Sequence, residues 1–539
     1  MGRKKRQLDA ASAAAATQDT DATTSADSPS NSTLPTPAST PRQKSLKQDA
    51  SQSIHDRPMS PAEDDLVFED AWEDEEEGYS ADEEADQAVM HQDSDEEDVM
   101  DYYSGKERTT QVQNDDEEED VDVFLPGQEL NEGEVLVPDN SAYEMLHFMG
   151  VEWPCLSLDF LASPIPKSCG ASIFPVSVYM VAGSQAERPR DNKLYVMKAS
   201  QLHRTKHDDE NEMQDDDSDN LSDLDDDPIL EYKTIPQNSG INRIRVMPHQ
   251  DPSVQLAAAW SETGHVSIYN VAPYVNALDS PGYIVPKEAS NPIGVVDHKK
   301  VEGYALDWSL VNPGGLLTGD VASNIYLTRK TTSSFETEST PFAAHTASVE
   351  DLQWSPTEQN VFASCSADGT VKIWDARANK RGKAQVSLQV HNTDVNVISW
   401  NRSVSHLLAS GSESGEFSIW DLRHFHSTPT PRPAATFTFH KKPITSIEWH
   451  PTEASVLFLT CADDTCTIWD LSLERDPDEE KTLSTGPRKP VNDIPPQLLF
   501  VHQGQHEMKE GRWCRDAGRE GVAVVTAVDG MAIFKTINA

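Results

Sequence analysis

The sequence predicts an all-β protein, a seven-bladed β-propeller preceded by a short helix and a long acidic tail. Two observations carry this prediction. One segment recurs three times at a regular period, and Trp, Ile, Val and Leu occur in short runs separated by Gly, Asp, Ser and Pro. Apolar runs bounded by turn residues are typical of many short strands. Repeats of this length, with four strands each, form the blades of a propeller.

The repeated segment resembles the WD repeat. Its three copies span residues 349–377, 395–423 and 444–472, and their inner tryptophans are Trp354, Trp400 and Trp449. These tryptophans are separated by 46 and 49 positions, each follows a histidine by nine positions, and each copy closes on Trp-Asp. Weaker copies extend the pattern in both directions. They predict seven blades marked by Phe160, Val246, Trp308, Trp354, Trp400, Trp449 and Trp513.

The recurrent polar residues have a structural interpretation. In WD-repeat blades a histidine, a strand Ser or Thr, a turn Asp and a Trp form a buried hydrogen-bond chain. The resemblance implies that His345, Ser364 or Ser366, Asp368 and Trp374 form it in the fourth blade, and that Trp420, His440 and Trp469 serve the next two. The fifth blade has Ser414 where the turn Asp belongs, so we expect a weaker chain there.

Enzyme signatures are missing from the sequence. It contains no nucleotide-binding glycine loop, no HExxH, no GxSxG and no CxxC pair among its six cysteines. We therefore expect no catalytic residue, no cofactor and no metal site, and interpret the cysteines as reduced structural thiols. A propeller of this kind is most often a binding platform, whose function depends on what is added to it.

The charge points to a basic partner. The chain carries 44 Lys and Arg against 91 Asp and Glu, a net charge of −47. Residues 63–122 hold 28 acids and two bases, and residues 208–227 hold 12 acids and no base. Such a chain repels nucleic-acid phosphates, so no direct nucleic-acid binding is expected. No apolar run reaches 18 residues, which argues against a membrane span.

Composition divides the chain into three parts. Residues 1–125, which include the acidic tract 63–122, are too polar to form a core and are predicted to be disordered. Residues 126–155 form an extension in which Ala142, Met145, Leu146 and Met149 have helical spacing, so they predict a helix of about two turns. The propeller is predicted over 156–539, with an acidic insertion at 207–227 and a prolyl loop at 472–496. Both follow the third strand of a blade and should emerge on one face.

The extension resembles the amino-terminal segment of the histone-binding WD-repeat family. The resemblance rests on Val151-Glu152-Trp153-Pro154 and on the paired prolines ahead of QLLFVHQG. In that family the helix and the prolyl loop flank a groove for a basic helix. The resemblance implies a client-binding groove formed by Leu146, Phe148, Glu152, Asp493, Pro495 and Pro496. For Met145 and Leu146, simple packing against the seventh blade is an equally good interpretation.

Within that superfamily, the long acidic tail and the acidic insertion are most similar to the glutamate-rich WD-repeat proteins, a family of ribosome assembly factors. The resemblance implies a noncatalytic chaperone of large-subunit assembly that shields a basic ribosomal protein, uL-three, and works with pre-60S factors in the nucleus and nucleolus, with a cytoplasmic pool. A histone-binding chromatin factor is the first alternative. A substrate receptor of a cullin-RING ubiquitin ligase is the second, because WDAR (374–377) and WDLR (420–423) match a ligase-docking element.

The densest acidic clusters are candidates for masking client charge, because a mobile polyanion attracts a basic partner and suppresses nonspecific contacts. They comprise Asp115, Asp116, Glu117, Glu118, Glu119 and Asp120 in the tail, and Asp215, Asp216, Asp217, Asp225, Asp226 and Asp227 in the insertion. The alternative is that both tracts only keep the protein soluble.

Overall fold

The computed structural model describes residues 2–6, 123–124, 134–163, 174–205, 227–248, 253–425, 431–474, 494–516 and 518–538. Ahead of the propeller, the strand Gly2–Arg6 pairs with Val123–Phe124 and Glu134–Pro138 in a three-stranded sheet. The rest of the predicted tail, including Asp115 to Asp120, lies outside the described residues, as do Asp215 to Asp217, Asp225, Asp226 and Asp493.

Seven four-stranded antiparallel sheets confirm the predicted propeller. The strands of blades one to four are Cys155–Leu161, Val176–Ser184, Lys193–Leu202 and Ile229–Pro236; Ile241–Val246, Leu256–Ser261, His265–Asn270 and Gly294–Asp297; Ala305–Trp308, Gly315–Gly319, Ile325–Lys330 and Phe335–Thr337; and Val349–Trp354, Val361–Ser366, Thr370–Asp375 and Val386–Gln389. Those of blades five to seven are Val395–Trp400, Leu407–Ser412, Phe417–Asp421 and Ala435–Phe437; Ile444–Trp449, Val456–Cys461, Thr465–Asp470 and Leu498–Gln503; and Glu510–Trp513, Val522–Ala527, Gly530–Thr536 and Tyr143–Met149.

All seven residues that mark the blades in the sequence lie in a first strand, and six of them end it. The position matters because first strands line the central channel of a propeller. Neighbouring blades bury apolar clusters between them. One such cluster holds Leu158 and Met180 of blade one together with Met145 and Ile533 of blade seven, all fully buried.

The propeller has two distinct faces. Strands alternate in direction within a blade, so the connections from first to second and from third to fourth strand share one end, here called the insertion face. The acidic insertion follows Lys193–Leu202 and the prolyl loop follows Thr465–Asp470, both third strands. Both therefore leave the propeller on the insertion face, as expected from the sequence. The connections between blades lie on the opposite face.

The helix predicted for the extension is wrong. After a short 3-10 turn, Asn140–Ala142, residues Tyr143–Met149 form a strand that pairs with Gly530–Thr536 and completes blade seven. We call it the closing strand. Different blades cover the two sides of this strand: Met145 and Met149 pack with blade one, and Leu146 packs with blade six, so apolar residues on both sides imitate helical spacing. The unpaired edge of a strand attracts a partner strand. Here that edge belongs to Gly530–Thr536, which lies far from the extension in the sequence, so spacing within the extension could not indicate the pairing.

The α-helix of the described residues is Ala272–Asp279, in the connection between the third and fourth strands of blade two. Its last residue, Asp279, accepts hydrogen bonds from Tyr179 (2.6 Å) and Lys198 (2.8 Å) of blade one. The helix therefore ties two blades together at their outer rim. The remaining 3-10 turns are Pro189–Asp191, Lys287–Ser290 and Leu422–His424. Within the described ranges, none of these helices has the length and apolarity to cross a bilayer.

Two residues of the closing strand provide a matched test of its role. Met145 is fully buried, and Phe148 is 53% exposed. We expect Met145→Ala to lower the free energy of unfolding by about 2–5 kcal/mol, because it leaves a cavity between blades one and seven. We expect Phe148→Ala to change it by about 0.5 kcal/mol. Urea unfolding of both variants measures this. Equal effects would contradict the assignment of the strand's two sides.

Candidate functional site

The structure brings His345, Ser364, Asp368 and Trp374 into one hydrogen-bond chain. His345 Nδ1 lies 2.9 Å from Asp368, its Nε2 lies 2.7 Å from Ser364 Oγ, and Trp374 Nε1 donates to the same oxygen at 2.8 Å. Since the Asp368 carboxylate only accepts, Nδ1 of a neutral His345 carries the proton, and Ser364, which accepts from the indole, donates to Nε2. Burial lowers the pKa of His345. A neutral imidazole with both nitrogens occupied holds the blade together and is closed to substrates.

The same chain recurs in the neighbouring blades. In blade six His440 Nδ1 lies 3.0 Å from Asp463, and its Nε2 lies 3.0 Å from Thr467 Oγ1. Trp469 Nε1 donates to the same threonine oxygen. In blade five Trp420 donates to Ser410, which also contacts His391. There Glu416 Oε1, 3.2 Å from His391 Nδ1, replaces the turn Asp, while Ser414 bonds to Ser412 instead. Glu416 lies two positions after Ser414, and its longer side chain reaches the histidine from there. The WD-repeat motif did not predict this replacement.

His440, Asp463 and Cys461 are also the one trio of potential metal ligands that lie close together among the described residues, within 4.8 Å. Both His440 nitrogens and the Asp463 carboxylate already take part in the chain just described. Burial raises the pKa of Cys461 well above its ordinary value, so the thiol stays protonated. This arrangement favours a structural role for the trio. The other described cysteines, Cys155, Cys365, Cys466 and Cys514, are free and buried.

A ring of side chains links the first strands across the blade boundaries. The residue before each marker supplies it, and in order these are Asp159, Arg245, Asp307, Gln353, Ser399, Glu448 and Arg512. Asp159, Asp307, Gln353, Ser399 and Glu448 each accept a hydrogen bond from the backbone N–H of the next marker, at 2.7–3.2 Å. The polar character of this position becomes visible in the sequence only when the seven blades are aligned on their markers.

Two arginines interrupt the ring, and they create a buried ionic network. Arg245 donates to Glu510 at 2.6 Å, and Arg243 joins the same carboxylate at 3.1 Å. Arg512 contacts Asp159 at 3.4 Å. Although burial opposes ionisation, Arg245, Arg243 and Arg512 lower the pKa of Glu510 to about 2. Its other oxygen accepts from Leu158 N at 3.0 Å, so Glu510 joins blade seven to blade one.

Carboxylates of blades two to five lie near one another on the opposite face, and we call them the carboxylate mouth: Glu262, Glu302, Glu350 and Asp394. Burial raises the pKa of Tyr304, and the charges of Glu302, Glu350 and Glu262 raise it further. Glu350 itself has a raised pKa, because of burial and because Asp394 lies near it. This concentration of negative charge at a channel entrance suits a cationic ligand.

The predicted groove residues fall at different heights along the boundary between blades six and seven. Pro495 and Pro496 are half-buried at the insertion-face end of the outer strand Leu498–Gln503, where Leu498 N donates to Pro495 O at 3.1 Å. Leu146 of the closing strand packs against the same apolar cluster as Leu499. The structure therefore brings the prolyl turn and the start of the closing strand to adjacent blades.

Phe148 lies towards the opposite face. It stacks on buried His502, with ring centroids 6.3 Å apart, and His502 stacks in turn on Phe534 at 4.8 Å. Beside Phe148 is an open cavity of about 290 Å³, lined also by Gly150, Gly504, Gln505 and Asp529. Phe148 is thus an exposed aromatic ring on a fixed aromatic base, the arrangement of a binding hot spot.

Glu152 does not join these residues. It is exposed on the opposite face and forms an ion pair with Lys193 of blade one at 2.5 Å. Asp227, the one predicted masking residue that is described, is exposed ahead of Ile229–Pro236, next to the exposed side chains of Ile229 and Tyr232. The arginines of the predicted ligase element are engaged locally: Arg377 donates to Asp375, and Arg423 donates to Asp421.

Comparison with known proteins identifies relatives along most of the chain. Residues 336–375, 382–421 and 431–470 match the model of the WD domain, G-beta repeat. Residues 133–203 match the model of the histone-binding protein RBBP4 and its counterpart in the CAF1 complex. The ribosome assembly protein rrb1 of Schizosaccharomyces pombe is 46% identical over 433 residues, which cover 78% of this chain and 87% of the relative.

Two further relatives are similar over comparable lengths. Protein HEAT STRESS TOLERANT DWD 1 of Arabidopsis thaliana is 42% identical, with 77% of this chain and 91% of the relative covered. The glutamate-rich WD repeat-containing protein 1 of Dictyostelium discoideum is 41% identical, with 76% and 83% covered.

The buried network predicts a pH-dependent stability. Glu510→Gln should lower the free energy of unfolding at pH 7 by about 3–5 kcal/mol, because Arg245 and Arg243 lose their counter-charge. The folded-state pKa of Glu510 is about 2, below its ordinary value of 4.5. Its stabilisation is therefore complete above about pH 4.5 and lost as the pH falls towards 2. Urea unfolding from pH 7 to 3 should show the two proteins converging.

Exposed Glu507, paired with Lys509 on the surface, provides the control. Glu507→Gln should leave stability nearly unchanged at every pH, since exposed ion pairs contribute little. A constant difference between Glu510→Gln and the unmodified protein across this pH range would contradict the assignment of charge to Glu510.

Proposed function

The chain belongs to the family of the glutamate-rich WD-repeat and ribosome assembly proteins, and on that premise we propose that it is a noncatalytic chaperone of large-subunit assembly. In this role it binds a basic ribosomal protein and shields its charge until that protein joins the particle. The relative named a ribosome assembly protein matches over 87% of its length, which supports a role in ribosome biogenesis.

The observation that supports the binding mechanism is the exposed ring of Phe148 beside an open cavity, and we place the client in a groove between the outer strands of blades six and seven. The buried rings of His502 and Phe534 support Phe148 from below. Leu146 lies further along the groove, and Pro495 and Pro496 lie at its insertion-face end. The strand Leu498–Gln503 has six residues, and at about 3.3 Å per residue it is roughly 20 Å long. A client helix of about 13 residues, at about 1.5 Å each, has that length.

Charge supports a basic client. The chain carries −47, with its densest acidic tracts in the tail and in an insertion that leaves blade one on the insertion face. Exposed carboxylates raise association rates with cationic proteins and contribute less to final affinity, which comes from buried apolar contacts. We therefore assign capture of the client to the acidic tracts and retention of the client to Phe148 and its neighbours. The carboxylate mouth is the second candidate for the cationic contact.

The identity of the client is proposed from the family resemblance: uL-three, with pre-60S assembly factors as further partners. The corresponding location is the nucleus and nucleolus, with a cytoplasmic pool. The start of the chain, Gly2-Arg3-Lys4-Lys5-Arg6, is basic in an otherwise acidic sequence and is typical of a nuclear import signal.

A histone-binding function is the alternative with direct support, because residues 133–203 match the histone-binding RBBP4 model. Core histones would use the same groove, since they also present basic helices. Ligase docking has weaker support: Arg377 and Arg423 of the predicted element are each paired with an Asp two positions earlier. Affinity purification with mass spectrometry separates the three functions by whether uL-three and pre-60S factors, core histones or a cullin adaptor dominate.

Deleting residues 63–122 tests capture by the acidic tract. We expect the variant to bind uL-three more slowly and with a flatter dependence on salt, because long-range attraction between the two is lost. The melting temperature should stay the same. Stopped-flow association at several salt concentrations measures this.

Deleting residues 10–62 is the matched control, because this stretch of similar length has five acids and four bases. It should leave association unchanged. If both deletions slow binding equally, tail length and not charge is responsible; if neither does, capture by the tail is wrong.

The groove is tested from its two ends. Reversing the charge at Asp493 together with Pro495→Ala and Pro496→Ala should weaken the binding of uL-three, and Phe148→Ala should weaken it about tenfold, by about 1.4 kcal/mol. Binding is measured by calorimetry and folding by the melting temperature.

The control is Glu453→Lys, an equal charge reversal at an exposed position on the insertion face, which should bind normally. Normal binding by the groove variants, with loss of binding on Glu350→Gln, would move the client to the carboxylate mouth.

A further inference from the structure

The channel has a second, differently charged mouth on the insertion face. Here the first strands end, and four guanidinium groups, Arg245, Arg402, Arg512 and Arg515, line a cavity of about 40 Å³. We call them the arginine mouth. Three aspartates, Asp159, Asp307 and Asp351, line the same cavity, so the question is which of these arginines have a carboxylate partner.

Three of these arginines have counter-charges. Arg245 is paired with Glu510, Arg512 with Asp159, and Arg515 donates to Glu448 at 2.6 Å. Arg402 differs: among the described residues it makes no hydrogen bond and no ion pair, although it is half-buried. A guanidinium offers five N–H donors in a planar fork, so partial burial without an acceptor is costly.

The carboxylates of the cavity bond to backbone amides and not to Arg402. Asp307 accepts from Trp354 N at 2.7 Å, and Asp351 accepts from the amides of Leu352 and Ile398. Burial raises the pKa of Asp307 to about 7 and also raises that of Asp351, so negative charge is weakened there. Burial and then the neighbouring Arg515 lower the pKa of Arg402 to about 9, although Glu448 and Asp307 oppose this shift.

The cavity is matched to one small group. One water needs about 10–15 Å³ on this measure, so the cavity holds about three water-sized groups. That is the size of a single carboxylate or phosphate, and too small for a nucleotide. Guanidinium forks bind such oxyanions in bidentate geometry.

We propose that the arginine mouth binds one oxyanion group, a phosphate or a carboxylate, with Arg402 as its principal ligand. Two sources fit this chemistry. One is a free phosphate. The other is a carboxylate of this chain's own acidic tracts: the insertion leaves blade one on the same face, and half of residues 206–226, about ten residues, spans roughly 33 Å when extended. A blade of four strands is only about 20 Å wide at roughly 4.8 Å per strand.

The test uses the full chain and inorganic phosphate, with chloride at matched ionic strength. We expect phosphate to raise the melting temperature saturably, because a ligand that binds the folded state stabilises it. Arg402→Gln should weaken phosphate binding at least tenfold, measured by calorimetry. Its melting temperature in chloride should not fall, since Arg402 has no partner to lose. Arg190→Gln, at an exposed position on the opposite face, should behave like the unmodified protein.

A variant without residues 63–122, and with 207–226 replaced by Gly and Ser, identifies the source. Tighter phosphate binding in this variant means that the chain's own carboxylates compete for the site. Unchanged binding means that the ligand is external. The proposal is overturned if phosphate has no saturable effect in either protein, or if Arg402→Gln binds phosphate as well as the unmodified chain does. If Arg402→Gln does not fold, Arg402→Lys is the second variant. It keeps the positive charge but lacks the planar guanidinium, and it must also weaken phosphate binding.

Discussion

The structure depends on closing a ring of seven blades with side chains that reach across each boundary. One position, just before the end of each first strand, does most of this. At five boundaries its side chain accepts the backbone N–H of the next blade. At the other two an arginine stands there: Arg512 contacts Asp159 of blade one, and the carbonyl oxygen of Arg245 accepts from Trp308 Nε1 of blade three. Every outer strand and insertion is positioned by this inner ring.

The sequence predicted the repetitive part of this architecture because repetition makes local signals redundant. Trp354, Trp400 and Trp449 define the period, and the structure has seven blades at the markers that extend it. The closing strand was misread because its pairing partner is encoded far from it, so spacing within the strand had no context. Glu416 was missed because it substitutes for Asp from a different position. Of the predicted groove, Leu146, Phe148 and the prolines line one boundary, whereas Glu152 pairs with blade one.

Charge is organised by face as well as by amount. Glu302 and Glu350 belong to the carboxylate mouth at one end of the channel, while Arg402 and Arg515 line the other end. The acidic insertion follows the third strand of blade one and therefore leaves the propeller on the face of the arginines.

The closing strand also sets the order in which the protein can be completed. Met149 pairs with Met531, 382 positions later, so the closing strand leaves the ribosome long before the strand with which it pairs. Domains rich in such distant contacts fold slowly. Until synthesis reaches blade seven, the ring stays open and the edge of the strand that carries Met145 has no partner. The acidic tract 63–122 precedes this strand and leaves the ribosome first, so its negative charge is present on the nascent chain throughout that interval.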